Sequence, residues 1–204
     1  MTPPRLATVR TALDAQRAPD EAGVPKSDVI SAAVAVILRE QPDDLELLLI
    51  QRAIHPRDPW SGHMALPGGR HDPTDPSLMH TAVRETLEET GVELLLPPHD
   101  ASLGALSSVA PQGAVRPRVR VSPFVFGARG DTVARVASPE IARVEWTPLS
   151  TLRDPNALGE VSIDLPTGPR SFPCFHLNGN VIWGLTYRIL RDFMARTGLP
   201  PTPR

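Results

Sequence analysis

Between Leu66 and Gly91 the chain runs into Pro67-Gly68-Gly69, crosses a loop carrying Asp72, Pro73, Asp75 and Pro76, and enters a helix with one apolar and one acidic side. No other segment constrains the fold as much. The helix needs a surface on which to bury its apolar side, and paired glycines let backbone approach something closely. Asp75 as cap, Pro76 in the first turn and Gly91 as a left-handed stop place the helix over residues 76–90. At about 100° per residue, Glu85, Glu88 and Glu89 gather on one side and Met79, Val83, Leu87 and Thr90 on the other. Glutamates one turn apart repel by roughly a few tenths of a kcal/mol per pair, and Arg84 offsets only part of this. Several converging carboxylates make a hard-oxygen site suited to Mg²⁺ or Mn²⁺, especially where substrate phosphates complete the shell. Taken singly, an acidic helix face is more often solvated and a double glycine more often a plain turn. Their succession favours a site.

The rest of the chain supplies the surface. Residues 29–38 and 45–51 read as a hairpin around Gln41-Pro42-Asp43-Asp44, with further strands over 63–66, 103–109, 115–126 and 143–146. Residues 161–165 and 171–177 pair around Thr167-Gly168-Pro169, and 181–196 closes the chain as a helix. A short helix over 3–16 and a linker over 18–27 precede them, so the expected division is helix and linker in 1–27 and one α/β domain in 28–204. Strands in mixed order with few helices imply a sandwich built on a mixed sheet rather than a repeating βαβ array.

Composition narrows where the chemistry lies. With 41% hydrophobic and 22% charged residues, the 204-residue chain has ordinary globular usage. Cys174 stands alone, excluding an internal disulfide, and no Cys/His spacing suggests zinc. The N-terminal residues lack signal or transit character, and the apolar run 32–38 is far short of the roughly 20 residues that cross a bilayer. A cytoplasmic protein without membrane contact is expected. A net charge of -2 offers no general attraction for nucleic acid, so an anionic small molecule would need local arginines or a cation.

The run Arg84-Glu85-Thr86-Leu87-Glu88-Glu89-Thr90-Gly91-Val92 after Gly69 resembles the Nudix hydrolase signature. The family usually has Glu six residues after the glycine, where this chain has Asp75, and one extra residue precedes Arg84. Asp75 is left between a water-bridged place at a metal and a helix cap, with the cap favoured. A narrower likeness, to the coenzyme A diphosphatase branch, rests on Leu48-Leu49-Ile50, Arg52, Arg57, Gly62, Leu66-Pro67-Gly68-Gly69 and Asp72-Pro73-Thr74-Asp75. It continues through Pro139-Glu140-Ile141, Val144 to Leu149 and Ile182-Trp183-Gly184.

The resemblance implies an α/β/α sandwich with a mixed central sheet and metal-dependent hydrolysis of a nucleoside diphosphate-linked substrate. Coenzyme A or an acyl derivative would give 3',5'-ADP and 4'-phosphopantetheine; ADP-ribose, dinucleotides and nucleoside triphosphates are the alternatives. It assigns the metal to Glu85, Glu88, Glu89 and the Gly68 carbonyl, has Arg84 orient the glutamates, and makes Glu140 a candidate general base. Arg52, Arg57 and Arg70 are candidate phosphate ligands, as are Arg116, Arg118 and Arg120, which a strand would put on one face. For these arginines and for Glu140 an exposed surface role is the competing reading, and Trp183 reads as core rather than a base-stacking platform. A silent Nudix-fold regulator is the rival from outside enzymes.

Overall fold

The computed structural model describes residues 5–15, 29–55, 61–94, 101–111, 118–165, 168–177 and 179–199. Strand β1 (Val29–Glu40) lies at its centre, running parallel to β6 (Arg118–Ala128) in register from Val29 opposite Arg118 to Arg39 opposite Ala128. On its other side it pairs antiparallel with β2 (Leu45–Arg52) near its end and with the short β4 (Gly68–Arg70) near its start. β3 (Met64–Ala65) and β7 (Ile141–Pro148) extend the sheet from β2, and β5 (Ser102–Ala105) closes the β6 edge. β8 (Leu158–Leu165), β9 (Gly168–Leu177) and β10 (Asn180–Trp183) form a second, antiparallel sheet.

Period-two alternation in β1 explains the layers. Ala33, Ala35 and Ile37 pack with Leu48, Phe126 and Ala82 of α2 (Leu78–Thr90) on one face. Ala32, Val36 and Leu38 face the larger core, which also holds Val9 and Leu13 of α1 (Leu6–Ala15) and Ile189, Leu190 and Phe193 of α4 (Gly184–Arg196). Helices on both faces of a mixed sheet make the α/β/α sandwich. A short α3 (Leu149–Arg153) follows β7 directly. The N-terminal helix is thus part of the main core, while the division expected at residue 27 falls outside the described residues.

Several local expectations change. The final helix starts at Gly184, because residues 180–183 pair with Leu177 to Cys174 as a strand. The glycine pair, which taken singly reads as a turn, lies in strand β4 with Arg70. The helix after it begins at Leu78, and its cap is Ser77, whose side chain accepts from the His80 N–H; Asp75 is not the cap. Its buried face is also rotated from the one periodicity suggested: Thr81, Ala82, Thr86, Glu89 and Thr90 are buried, while Leu87 is 48% exposed. Short side chains let this face lie close to the sheet. The Thr86 and Thr90 hydroxyls each donate at 2.7 Å to the carbonyl four residues earlier, so the helix satisfies its own buried polar groups.

Candidate active site

The site grows out of β4 and the α2 side facing it. Gly68 has φ 149°, and a Cβ there would overlap the Ala33 carbonyl oxygen and the Val34 Cα. At Gly69 a Cβ would collide with the Glu85 carboxylate. The two glycines therefore serve different ends: the first lets β4 lie against β1, and the second leaves the space that Glu85 fills. One turn on, Glu89 is 5% exposed and its Oε2 accepts the Gly68 N–H at 2.9 Å. Burial pushes the Glu89 carboxyl up to about 8; the Gly68 N–H and Arg52 oppose this, and the neighbouring Glu85 and Glu140 carboxylates add to it. Burial also raises Glu85, against the pull of Arg84.

Arg84 spans the acidic residues. Its Nε and Nη2 donate to the two oxygens of Asp75, each at 3.0 Å, and its Nη1 donates to Glu85 at 2.9 Å and to Glu88 at 3.2 Å. The Asp75 carboxylate is 7% exposed, and this paired hydrogen bonding holds it far below the usual carboxylate range. Asp75 thus anchors the arginine that bears on the glutamates. We expect Asp75→Asn to cost about 2 kcal/mol, because one oxygen of the paired contact becomes a donor facing a guanidinium. The Asp75 contribution is present at neutral pH and lost as pH falls through the acid range. Thermal melts of both proteins at pH 7 and pH 3 check this: the difference should shrink at the lower pH.

Glu85, Glu88 and Glu89 lie at three depths rather than one. Glu89 is buried against β4, Glu85 is half-buried, and the Glu88 side chain is 55% exposed in the grip of Arg84. Among the described residues no three carboxylate, imidazole or thiol groups close into a ligand set as they stand. The glutamates instead take separate donors, the Gly68 N–H and Arg84. The donor chemistry nonetheless fits a hard divalent cation, since the site is rich in carboxylate oxygens and, among the described residues, the buried Glu89 carboxylate takes its hydrogen bond from the Gly68 N–H and not from a cation.

The remaining candidates divide by position. Arg52, at the end of β2, acts electrostatically on Glu89. The Glu140 side chain is exposed and its charge is felt by both Glu85 and Glu89, while its carbonyl accepts the Ala53 N–H at 2.7 Å, fixing the loop beside β2. Arg70 is exposed at the end of β4, and its carbonyl accepts from Arg84. Arg118 and Arg120 are exposed and separated by one residue on β6, with β1 lying between that strand and β4. Arg57 and Arg116 lie outside the described residues. Trp183 is half-buried against His63 and Phe172, with ring centroids 5.2 Å away in each case. Sequence reading missed the Asp75–Arg84 clamp. Its only local sign was Thr81, three residues before Arg84 and so one turn away on the same helix face. No described helix is long and apolar enough to cross a membrane.

Comparison with known proteins places the chain in a family. The NUDIX domain model matches residues 29–164. A protein of Schizosaccharomyces pombe described only as uncharacterized is 36% identical over 167 residues, covering 78% of this chain and 50% of that protein, so the chain spans about half of that relative's length. The uncharacterized Nudix hydrolase NudL of Salmonella paratyphi B is 32% identical over 175 residues, 82% of each chain. A MutT/nudix family protein from Enterococcus faecalis superposes with a TM-score of 0.57 at 21% identity, covering 96% of this chain and 70% of that one, a likeness of fold. With the glycine strand, the acidic helix and the family match falling on the same residues, the chain belongs to the Nudix hydrolase family.

Proposed function

We propose that this Nudix hydrolase cleaves the diphosphate bond of a nucleoside diphosphate-linked small molecule, with coenzyme A or an acyl-coenzyme A as substrate and 3',5'-ADP and 4'-phosphopantetheine as products. The observation that carries the hydrolase reading is Glu89, a buried carboxylate set on the Gly68 N–H with Glu85 beside it across Gly69. Glu85, Glu88, Glu89 and the Gly68 carbonyl would hold Mg²⁺ or Mn²⁺. Bound there, the cation neutralises phosphate oxygens and makes water a better nucleophile.

The chain's own residues do the rest. Arg84, held by Asp75, keeps Glu85 and Glu88 beside each other and offsets their repulsion before substrate arrives. Glu140 is exposed and close enough to influence both inner glutamates, so it can take a proton from water without giving up a ligand role. Arg52, at the end of β2, and Arg70, the last residue of β4, would bind the diphosphate with Arg57. Arg118 and Arg120, across β1, together with Arg116, suit a phosphate remote from the scissile bond, such as the adenosine 3'-phosphate.

Support for coenzyme A over other diphosphates comes from the likeness running from Leu48 to Asp75 and on to Gly184. Product chromatography on a panel of coenzyme A, its 3'-dephospho form, ADP-ribose, dinucleotides and nucleoside triphosphates, in Mg²⁺ and in Mn²⁺, tests it. Coenzyme A should have the highest kcat/KM and the 3'-dephospho form a clearly lower one. A preference for ADP-ribose or for the dephospho form removes the coenzyme A assignment and leaves diphosphate hydrolysis standing. No turnover of any compound with either ion removes both.

A further inference from the structure

The Asp75–Arg84 contact does not end at Asp75. Thr81, fully buried on the first turns of α2, places its hydroxyl 2.8 Å from Asp75 Oδ2 and 2.9 Å from His71 Nδ1. We infer that Thr81 and His71 are positioning residues, which hold Asp75 so that Arg84 is aimed at Glu85 and Glu88. The inference rests on the reading of those glutamates as metal ligands.

Proton counting fixes the direction of the chain. A threonine hydroxyl has one hydrogen, and the Asp75 oxygen at 2.8 Å is a better acceptor than the Ser77 carbonyl at 3.4 Å, both nearer and charged. With that hydrogen given to Asp75, the contact to His71 requires Nδ1–H to donate to Thr81 Oγ1. His71 itself is tied to the central strand, because its backbone N–H donates to the Ser31 carbonyl at 2.9 Å. A continuous path therefore runs from β1 through His71, Thr81, Asp75 and Arg84 to Glu85.

Both Asp75 oxygens accept hydrogen bonds here. Oδ1 takes Arg84 Nε; Oδ2 takes Thr81, Arg84 Nη2 and the Asp72 N–H at 3.2 Å. The Thr81 hydroxyl also bridges Asp75 and His71, whose Nδ1 is 3.9 Å from Oδ2. Without the hydroxyl, a histidine donor faces the carboxylate directly and competes with Arg84 for it. This places the effect at Arg84, two contacts away from the substitution. It also suits the departure from the family pattern: the aspartate carboxylate is set by a threonine on the helix.

The test compares Thr81→Val, which keeps shape and removes the hydroxyl, with Thr81→Ser, which restores it. The first readout is free of metal and substrate: the Arg84 Nε–H nuclear magnetic resonance signal, assigned by its loss in Arg84→Lys. In the native protein it should exchange slowly with water, and Thr81→Val should speed exchange at least about tenfold, with Thr81→Ser close to native. The second readout is the metal concentration for half-maximal turnover, which should rise about tenfold in Thr81→Val and return in Thr81→Ser, as expected of an outer partner of a metal ligand. His71→Leu, at a partly exposed position, should shift both readouts in the same direction and serves if Thr81→Val does not fold. Retention of native Arg84 exchange and metal dependence in the folded variants, whatever their melting temperatures, overturns the inference. If the native enzyme turns over no diphosphate, the functional reading fails while the exchange measurement still decides the positioning path.

Discussion

Replacing Glu89 with glutamine is expected to lower turnover by more than about a hundredfold, since even outer partners of metal ligands typically cost ten- to a hundredfold. The same change should stabilise the metal-free protein, but only at higher pH. Below the ordinary glutamate value of 4.5, Glu89 is protonated in both folded and unfolded chains and its burial carries no charge penalty. As pH rises the unfolded chain gives up its proton first, and stability falls until the buried carboxyl ionises at about 8. Across that window the loss is on the order of a few kcal/mol. Glutamine keeps an acceptor for the Gly68 N–H and never acquires the charge. Metal-free melts at pH 4.5 and pH 8 should therefore coincide at the first and favour the variant at the second. Added Mg²⁺ should raise the melting temperature of the native protein more than that of the variant. Equal melting curves at both pH values, with near-native turnover at saturating metal, would remove Glu89 from the metal site.

The second large effect separates two adjacent glycines. Gly68→Ala drives a methyl group into the Ala33 carbonyl and Val34 backbone at a φ of 149°, where neither neighbour can give way without moving β1. We expect a loss of about 3 kcal/mol or more, from overpacking and backbone strain together. That corresponds to a fall in melting temperature of roughly 10 °C for a chain of this size. Gly69→Ala meets a side chain instead, the Glu85 carboxylate, which can swing aside. It should fold with a small change in melting temperature and lose about a hundredfold in turnover, the scale of an ångström-sized misplacement of a reacting group. Melting and kinetics on the two variants check the pair. A stable Gly68→Ala, or an active Gly69→Ala, contradicts the roles given to them.

What the sequence determined by itself is the order of elements and the chemical character of the site. The apolar runs of β1 and β2, the glycine pair, and the spacing of Glu85, Glu88 and Glu89 are local facts, and local periodicity and turn chemistry read them directly. Tertiary structure decided what those local facts are used for. Leu87 is exposed and Thr86 buried because α2 lies on the small side chains of β1, and a helix that close to a sheet turns its short residues inward whatever their polarity. Asp75 is well placed in sequence to cap a helix, yet it pairs with Arg84, because Ser77 takes the cap and the loop before α2 lies against the helix side that carries Arg84. Gly68–Arg70 becomes a strand only because β1 has an unpaired edge beside it, and β10 forms only because β9 does. The alternation of Arg118 and Arg120 was legible in the sequence, but their separation from the glycine strand by β1 was not. Sheet order is set by contacts between residues far apart in the chain, and no local spacing encodes it.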